Sequence, residues 1–207
     1  KVNVQCLGDK DKLAVYFLNE ENNELEFVTG KIVENKAILK LNHFSKYVII
    51  ESTKTFEDID KHWAKLYIES MAAKEVVDGY DNGTFKPDVQ VTRAEFAKMV
   101  LKGLEAEIVK YNGEFADVNA NDWYADYLAT MKKLGLIEGY GDGTFKPNEK
   151  ISRAEMASIL SNLVDVQVSK EEVAEILDKF IDKDNVPAWA AESIAKVVKA
   201  KIMVGKN

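Results

Sequence analysis

Cysteine is almost absent. Cys6 is the only one in 207 residues, which excludes an internal disulfide framework and a zinc site built on several thiolates. Histidine is nearly as scarce. His43 and His62 have no nucleophile and no ligand cluster near them in sequence, so neither a hydrolytic triad nor a metal site is predicted. A Gly-Lys-Ser/Thr phosphate loop is missing. No apolar run approaches the ~18 residues a membrane-spanning helix needs, so membrane insertion is not expected. Basic charge is also in deficit. There are 28 Lys and Arg against 35 Asp and Glu, giving a net charge of −7 and a pI of about 5.1, which removes the electrostatic basis of non-specific nucleic-acid binding. The many acids form no recognisable pair for glycoside cleavage. No catalytic residue, metal or cofactor is therefore predicted. The hydrophobic content of 46% still supports a real core.

What is present is repetition. Gly79-Tyr80-Asp81-Asn82-Gly83-Thr84-Phe85-Lys86-Pro87 returns as Gly139-Tyr140-Gly141-Asp142-Gly143-Thr144-Phe145-Lys146-Pro147. Thr92-Arg93-Ala94-Glu95 returns as Ser152-Arg153-Ala154-Glu155, and Trp63 returns as Trp123, all at an offset of 60. A partial third copy opens at Phe180-Ile181-Asp182 and carries Trp189. Repeats of this length cannot bury their apolar faces alone and must share a core with their neighbours.

Residues 1–51 read as β-rich. Strands are predicted over 13–18, 25–28, 37–41 and 47–50, with the polar turn Asn19–Asn23 between the first two. The opening Lys1-Val2-Asn3-Val4 reads as mid-strand. Fifty residues are marginal for an independent β domain, so the segment is expected to be the end of a larger upstream one. Helical periodicity takes over after 52–54. It gives repeat one at 56–110, repeat two at 115–168, and a linking helix with a partial third repeat at 169–207. The helix near 63–74 places Trp63, Tyr67, Ile68 and Met71 on one face. The helix from Arg93 to Glu105 is expected to turn Phe96, Met99, Val100 and Leu104 inward. Copy two does the same with Trp123, Tyr127, Leu128, Met131 and Leu134, then with Met156, Ile159, Leu160 and Leu163. Ser169 and Glu172 form a capping box that starts the linking helix, and Pro187 suits the first turn of a final helix over 188–201.

Thr92 with Glu95 and Ser152 with Glu155 are likewise capping boxes. Their arginines are harder to explain, because a cation in the first turn opposes the helix dipole. Arg93 and Arg153 either pair with an acid elsewhere in the fold or bind an anion beside a helix N-terminus. The glycines of the Gly79 and Gly139 loops permit positive φ and either order a helix–helix connection or allow close approach of a ligand. Asp81-Asn82-Gly83 and Asp142-Gly143 lack the alternating acids of a calcium loop. Lys86 and Lys146 supply positive charge beside these loops. Trp63, Trp123 and Trp189, near the helix starts, serve either as core or as stacking surfaces for a sugar ring.

Taken together these motifs resemble the S-layer homology domain. The family pattern is an opening Phe-x-Asp-(Val/Ile), here Phe56-Glu57-Asp58-Ile59 and Phe115-Ala116-Asp117-Val118, then a helix with Trp near its start, the Gly-Thr-Phe-x-Pro loop and the Thr-Arg-Ala-Glu helix start. The resemblance covers about 56–207. The third copy, with Phe180, Asp182, Pro187, Trp189, Ala190 and Ile194, matches through its first helix. The stretch Asn42-His43-Phe44-Ser45-Lys46-Tyr47 is similar to segments that precede such triplets in Gram-positive surface proteins. The resemblance implies a mainly α fold, a pseudo-threefold bundle of helix-loop-helix repeats preceded by the small β-rich segment. It also implies non-covalent attachment to the bacterial cell wall through a secondary cell wall polysaccharide carrying pyruvylated N-acetylmannosamine. Arg93 and Arg153 would be the binding arginines, with Lys86, Lys146, Gly79, Gly139 and the three tryptophans around them. The location implied is extracellular, at the cell wall. Two rivals stay open: a self-assembly module that contacts other surface-layer subunits, and the anchor of a larger secreted enzyme. The sequence also ends at Asn207 before a third Thr-Arg-Ala-Glu, and reads as part of something longer.

Overall fold

The structure, a computed structural model, describes residues 2–3, 9–28, 30–33, 36–39 and 45–205. Cys6, His43, Phe44, Asn207 and the end of the strand expected over 37–41 lie outside the described residues. The chain divides into two compact units. One comprises 1–89 with 102–106, the other 90–101 with 107–207.

The first unit holds the β-rich segment and the first helix of repeat one. Strands β1 (Val2–Asn3), β5 (Lys36–Leu39) and β4 (Gly30–Val33) form one antiparallel sheet, in that order. Strands β3 (Glu24–Val28), β2 (Leu13–Asn19) and β6 (Tyr47–Glu51) form a second. The β2–β3 hairpin is closed by asparagines. Asn19 Oδ1 accepts from the Glu21 N–H, and Asn22 Oδ1 accepts from the Glu24 N–H, both at 3.1 Å, while Asn23 takes a positive φ of 61°. Register is fixed by cross-strand rings: Tyr16 opposes Phe27 at 5.8 Å and Phe17 opposes Tyr47 at 6.0 Å. Helix α1 (Lys65–Ala73) follows a turn in which the Ala64 N–H donates to His62 Nδ1 at 3.2 Å. That bond gives His62 a structural task. The buried face of α1 is Ile68, Glu69, Ser70, Ala72 and Ala73. Trp63, Tyr67 and Met71 are exposed. The expected face is thus split, and its aromatic part points to solvent.

The second unit is helical. Helix α2 (Arg93–Leu104) buries Ala94, Ala97 and Leu101 rather than Leu104, which is exposed. Helices α3 (Ala125–Lys133) and α4 (Arg153–Ser161) bury Leu128, Met131, Ala157 and Ile159, again with Leu134 outside. The capping boxes are all formed. The Glu95, Glu155 and Glu172 N–H groups each donate to the cap hydroxyl at 3.2 Å, and each glutamate reaches back to the cap N–H. Ser169 thereby starts α5 (Lys170–Leu177). The last helix begins as a 3₁₀ turn at Ala188–Ala190 and continues as α6 (Ala191–Lys199), which packs on α4 and α5 through Ala195 and Val197.

Position 69 separates the repeats. Counted from the tryptophans, Glu69 corresponds to Ala129 and Ala195. All three positions are buried, Glu69 being only 5% exposed. A carboxylate is tolerated in repeat one because the β-rich segment supplies a cation, Lys12, and the stretch after it a hydroxyl, Thr55. Thr55 Oγ1 donates to Glu69 Oε1 at 2.7 Å, and Lys12 Nζ lies 2.6 Å from Oε2. Burial works to raise the carboxyl, but Lys12 and Thr55 outweigh it and hold it below its ordinary value. Lys12→Met should strand the buried charge and lower the unfolding free energy by about 2–4 kcal/mol. Glu69→Ala, which installs the residue of the other repeats, should recover part of that loss in the double variant. Urea unfolding of the single and double variants checks this; strictly additive losses would mean that the two residues do not couple.

Candidate functional site

The loops are built first. In repeat two the chain turns at Tyr140, whose N–H donates to Thr144 O at 2.8 Å while the Gly143 N–H returns to Tyr140 O at 3.0 Å. Thr144 is then tied to Asp142 Oδ1 through its hydroxyl and its N–H. The Asp117 carboxylate closes the loop from outside, accepting the Phe145 N–H at 2.8 Å on Oδ1 and the Lys146 N–H at 2.7 Å on Oδ2. Repeat one is built alike: Asp58 accepts from Phe85 at 2.8 Å and Lys86 at 2.6 Å. This double grip holds Lys86 and Lys146 at a φ of 57°, where a side chain is normally strained. Gly139 is required by packing. Its φ is 86°, and a Cβ there would lie 2.7 Å from Phe115 Cε1. Gly79 stands in the same relation to Phe56, and Gly205 to Phe180.

Against the second loop sits Arg93. It is 7% exposed, and every polar handle of its helix start is engaged. The Arg93 N–H donates to Glu149 O at 2.9 Å and the Ala94 N–H to Pro147 O at 3.0 Å. The anion-binding capacity of a bare helix N-terminus is thus used up by carbonyls of the next repeat, so those groups do not serve a ligand. The side chain crosses the same boundary. Nε donates to Phe145 O at 2.9 Å, Nη1 bonds Glu155 Oε1, and Cζ lies 4.5 Å from the Phe145 ring centroid and 4.9 Å from that of Tyr140. Of the two readings left open for this residue, the structure shows the internal acid, Glu155; the guanidinium also lines a groove. Nη2 carries none of these bonds.

The groove, of about 490 Å³, is lined by Arg93, by Gly135–Tyr140, by Glu155, Ser158 and Ile159 of α4, and by Asn162 and Trp189. It gathers Arg93, Gly139 and Trp189 from the expected site. Arg153, Trp123 and Lys146 are not among its walls. Arg153 is exposed, with Nη2 donating to Val204 O at 2.8 Å. Lys146 Nζ is 4.7 Å from the Tyr140 ring centroid. Trp63, Gly79 and Lys86 belong to the first unit, where Lys86 Nζ lies 4.2 Å over Tyr80. The tryptophans are not core: Trp63, Trp123 and Trp189 are 81%, 53% and 60% exposed. Their helices bury other residues, among them Ile68, Leu128, Met131 and Val197, and leave the indoles to solvent. Sequence reasoning gave Glu155 a capping role but missed its bond to Arg93, 62 residues away. It also passed over Tyr140, Glu138, Ser158 and Asn162 as groove walls. The one available signal was that Tyr80 and Tyr140 repeat.

The family model of the S-layer homology domain matches residues 55–97, 114–157 and 179–207. The chain belongs to the S-layer homology (SLH) domain family. Its third match starts beside Phe180 and takes in Gly205, the pair that repeats the Phe115–Gly139 packing. Among curated proteins, an amylopullulanase of Thermoanaerobacterium thermosulfurigenes is 35% identical over 99% of the chain and 11% of its own length. A cellulosome-anchoring protein of Acetivibrio thermocellus is 32% identical over 71% of the chain and 33% of its own length. An S-layer protein of Bacillus anthracis is 36% identical over 73% and 18%. The chain thus spans a third or less of each of these relatives. The SLH repeats and these relatives place the chain at the bacterial cell surface, as a cell-wall anchor. Among the described residues no helix is long and apolar enough to cross a membrane.

The SLH loop clamp makes a pH prediction. The Phe85 N–H, above all, holds the Asp58 carboxyl below its ordinary value. Burial opposes the effect, and the Lys86 N–H and ammonium add to it. A depressed folded-state pKa contributes stability above the unfolded carboxyl's pKa, and that stability is lost as pH falls through the lowered value. Amide exchange at Phe85 and Lys86 should therefore keep its protection through mildly acidic pH and lose it only below the ordinary carboxyl range. Asp58→Asn should lose protection at neutral pH. Protection in Asp58→Asn equal to the parent's would show that the carboxylate does not hold the loop.

Proposed function

We propose that the groove around Arg93 binds a carboxylate-bearing secondary cell wall polysaccharide, the ketal-linked pyruvate on N-acetylmannosamine being the group recognised, and that the chain thereby anchors a larger surface protein non-covalently. The observation that carries this reading is a buried, prepositioned guanidinium with one uncommitted edge, in a groove that an exposed indole also lines. A charge-assisted hydrogen bond from arginine to the carboxylate and ring stacking on Trp are what a charged sugar needs. The pseudo-threefold arrangement implied by the family is part of the proposal, because it would give successive repeats equivalent grooves, the next built on Arg153. Activities named for the enzymes among the relatives would then belong to regions beyond the matched domain.

The charge of the groove sets how it binds. Its charged walls are Arg93, Glu138 and Glu155, one positive against two negative. Long-range attraction of an anion is therefore weak, and recognition rests on a directed hydrogen bond. A second reading, contact with further surface-layer subunits, is favoured by the exposed stripe Trp63, Leu66 and Tyr67 on the first repeat.

Purified wall polysaccharide, intact and after mild-acid removal of pyruvyl groups, separates these readings. Binding should require the pyruvyl group and change only a few-fold between low and physiological salt. Arg93→Ala should weaken binding by roughly 1.5–3 kcal/mol and also lower the melting temperature, because Glu155 and the Phe145 carbonyl lose their donor. Arg153→Ala, at an exposed position, should leave the melting temperature nearly unchanged. Equal binding to both polymer forms would contradict the carboxylate reading. Concentration-dependent self-association without polymer, by light scattering, would favour the second.

A further inference from the structure

Glu155 stands where a ligand carboxylate would be expected. Its Oε1 takes the Arg93 Nη1–H and the Tyr140 hydroxyl at 3.0 Å, and its Oε2 takes the Ser152 N–H and hydroxyl, both at 2.8 Å. Four donors from three residues fix this one carboxylate. Burial pushes the Glu155 carboxyl up, but the Ser152 and Tyr140 bonds and the Arg93 charge prevail and hold it below its ordinary value. The ring of Tyr140 completes the cage, facing Arg93 at 4.9 Å while its hydroxyl grips Glu155.

A carboxylate beside a binding arginine has two opposite possible effects. As a charge it competes, since it neutralises Arg93 and repels an anionic ligand. As a hydrogen-bond acceptor it organises, since it fixes a side chain that would otherwise lose considerable rotamer freedom on binding. The observations favour the second. Arg93 is held at Nε and Nη1 with rings at 4.5 and 4.9 Å, so its remaining freedom is small, and Nη2 is the edge that none of these bonds uses. We propose that Glu155, steadied by Tyr140 and Ser152, is a positioning residue for ligand recognition by Arg93. The glutamate of one repeat's Ser/Thr-Arg-Ala-Glu start sets the arginine of the preceding repeat. This rests on the reading of the groove as a polymer site, and adds to it which residues make the arginine selective.

The test separates positioning from plain stability and from charge. Glu155→Ala removes the acceptor and one negative charge. Glu155→Gln removes the charge and keeps an acceptor. Tyr140→Phe keeps the ring and removes the donor that steadies Glu155. Each variant is titrated, in the full chain, with intact and depyruvylated wall polysaccharide, and its melting temperature is measured. Positioning predicts that Glu155→Ala binds the intact polymer at least about tenfold more weakly and loses discrimination between the two forms. Glu155→Gln should retain most of that discrimination. Tyr140→Phe should lose a few-fold of it at a melting temperature close to the parent's. A merely structural role would weaken binding to both forms alike and leave their ratio unchanged. A competing role would make Glu155→Ala bind more tightly. Either result overturns the proposal.

A readout without ligand keeps this test apart from the polymer reading. Arg93 and Arg153 are the only arginines in the sequence, so guanidinium resonances come from two residues. The Arg93 Nη1–H, which Glu155 accepts, should exchange slowly with water in the parent and in Glu155→Gln, and rapidly in Glu155→Ala. Slow exchange that persists in Glu155→Ala overturns the inference even if the parent binds the polymer as expected. A parent that ignores the pyruvyl group but shows the exchange pattern would overturn the polymer reading alone.

Discussion

The groove depends on one guanidinium placed where local physics opposes it. A cation in the first turn of α2 works against the helix dipole, and Ala would suit the position better. Arg93 is kept there because it spends its bonds on the next repeat: the Phe145 carbonyl, the Glu155 carboxylate and two aromatic rings. The backbone repeats the connection. Thr92 faces Lys150 in a one-residue bridge, and the Arg93 and Ala94 N–H groups close on the loop at Glu149 and Pro147. The start of α2 cannot move without moving the second loop, and that loop contributes Gly139 and Tyr140 to the wall of the groove.

That wall owes its shape to a second constraint. A single carboxylate, Asp117, accepts two successive N–H groups and bends the chain at Lys146 into a positive φ. The ring of Phe115, two residues before Asp117, fills the space that a side chain on Gly139 would take. The Phe-x-Asp opening and the Gly-Thr-Phe-Lys-Pro loop are therefore two halves of one device, and Phe56 with Asp58 makes it again in repeat one. A repeat unit reduced to this device can vary elsewhere. Position 69 shows it: the buried alanine of the other repeats is replaced by a glutamate that the β-rich segment neutralises through Lys12.

The repeats, the helix starts and most of the strands were legible in the sequence because each follows from local chemistry. Capping boxes at Thr92, Ser152 and Ser169 need only four consecutive residues. Strand β4 was missed, since it is four residues long and opens on Gly30. The sign of the amphipathic faces was not legible. Spacing groups Trp63 with Ile68, but burial separates them, because the first helices bury alanines together with Ile68, Leu128 and Met131 and leave the tryptophans outside. Pairing across repeats was out of reach for the same reason. Whether Arg93 meets an acid or a ligand depends on which residue, 62 positions on, faces it. That Trp189 rather than Trp123 lines this groove agrees with the packing of the 3₁₀ turn Ala188–Ala190 on α4.

The most direct test of the account is a crystal structure with a pyruvylated N-acetylmannosamine disaccharide bound. The account predicts the pyruvyl carboxylate within hydrogen-bond distance of Arg93 Nη2, the sugar ring against Trp189, and the Arg93–Glu155 bond intact. A disaccharide seated away from Arg93, or one that displaces Glu155 from the guanidinium, would contradict it.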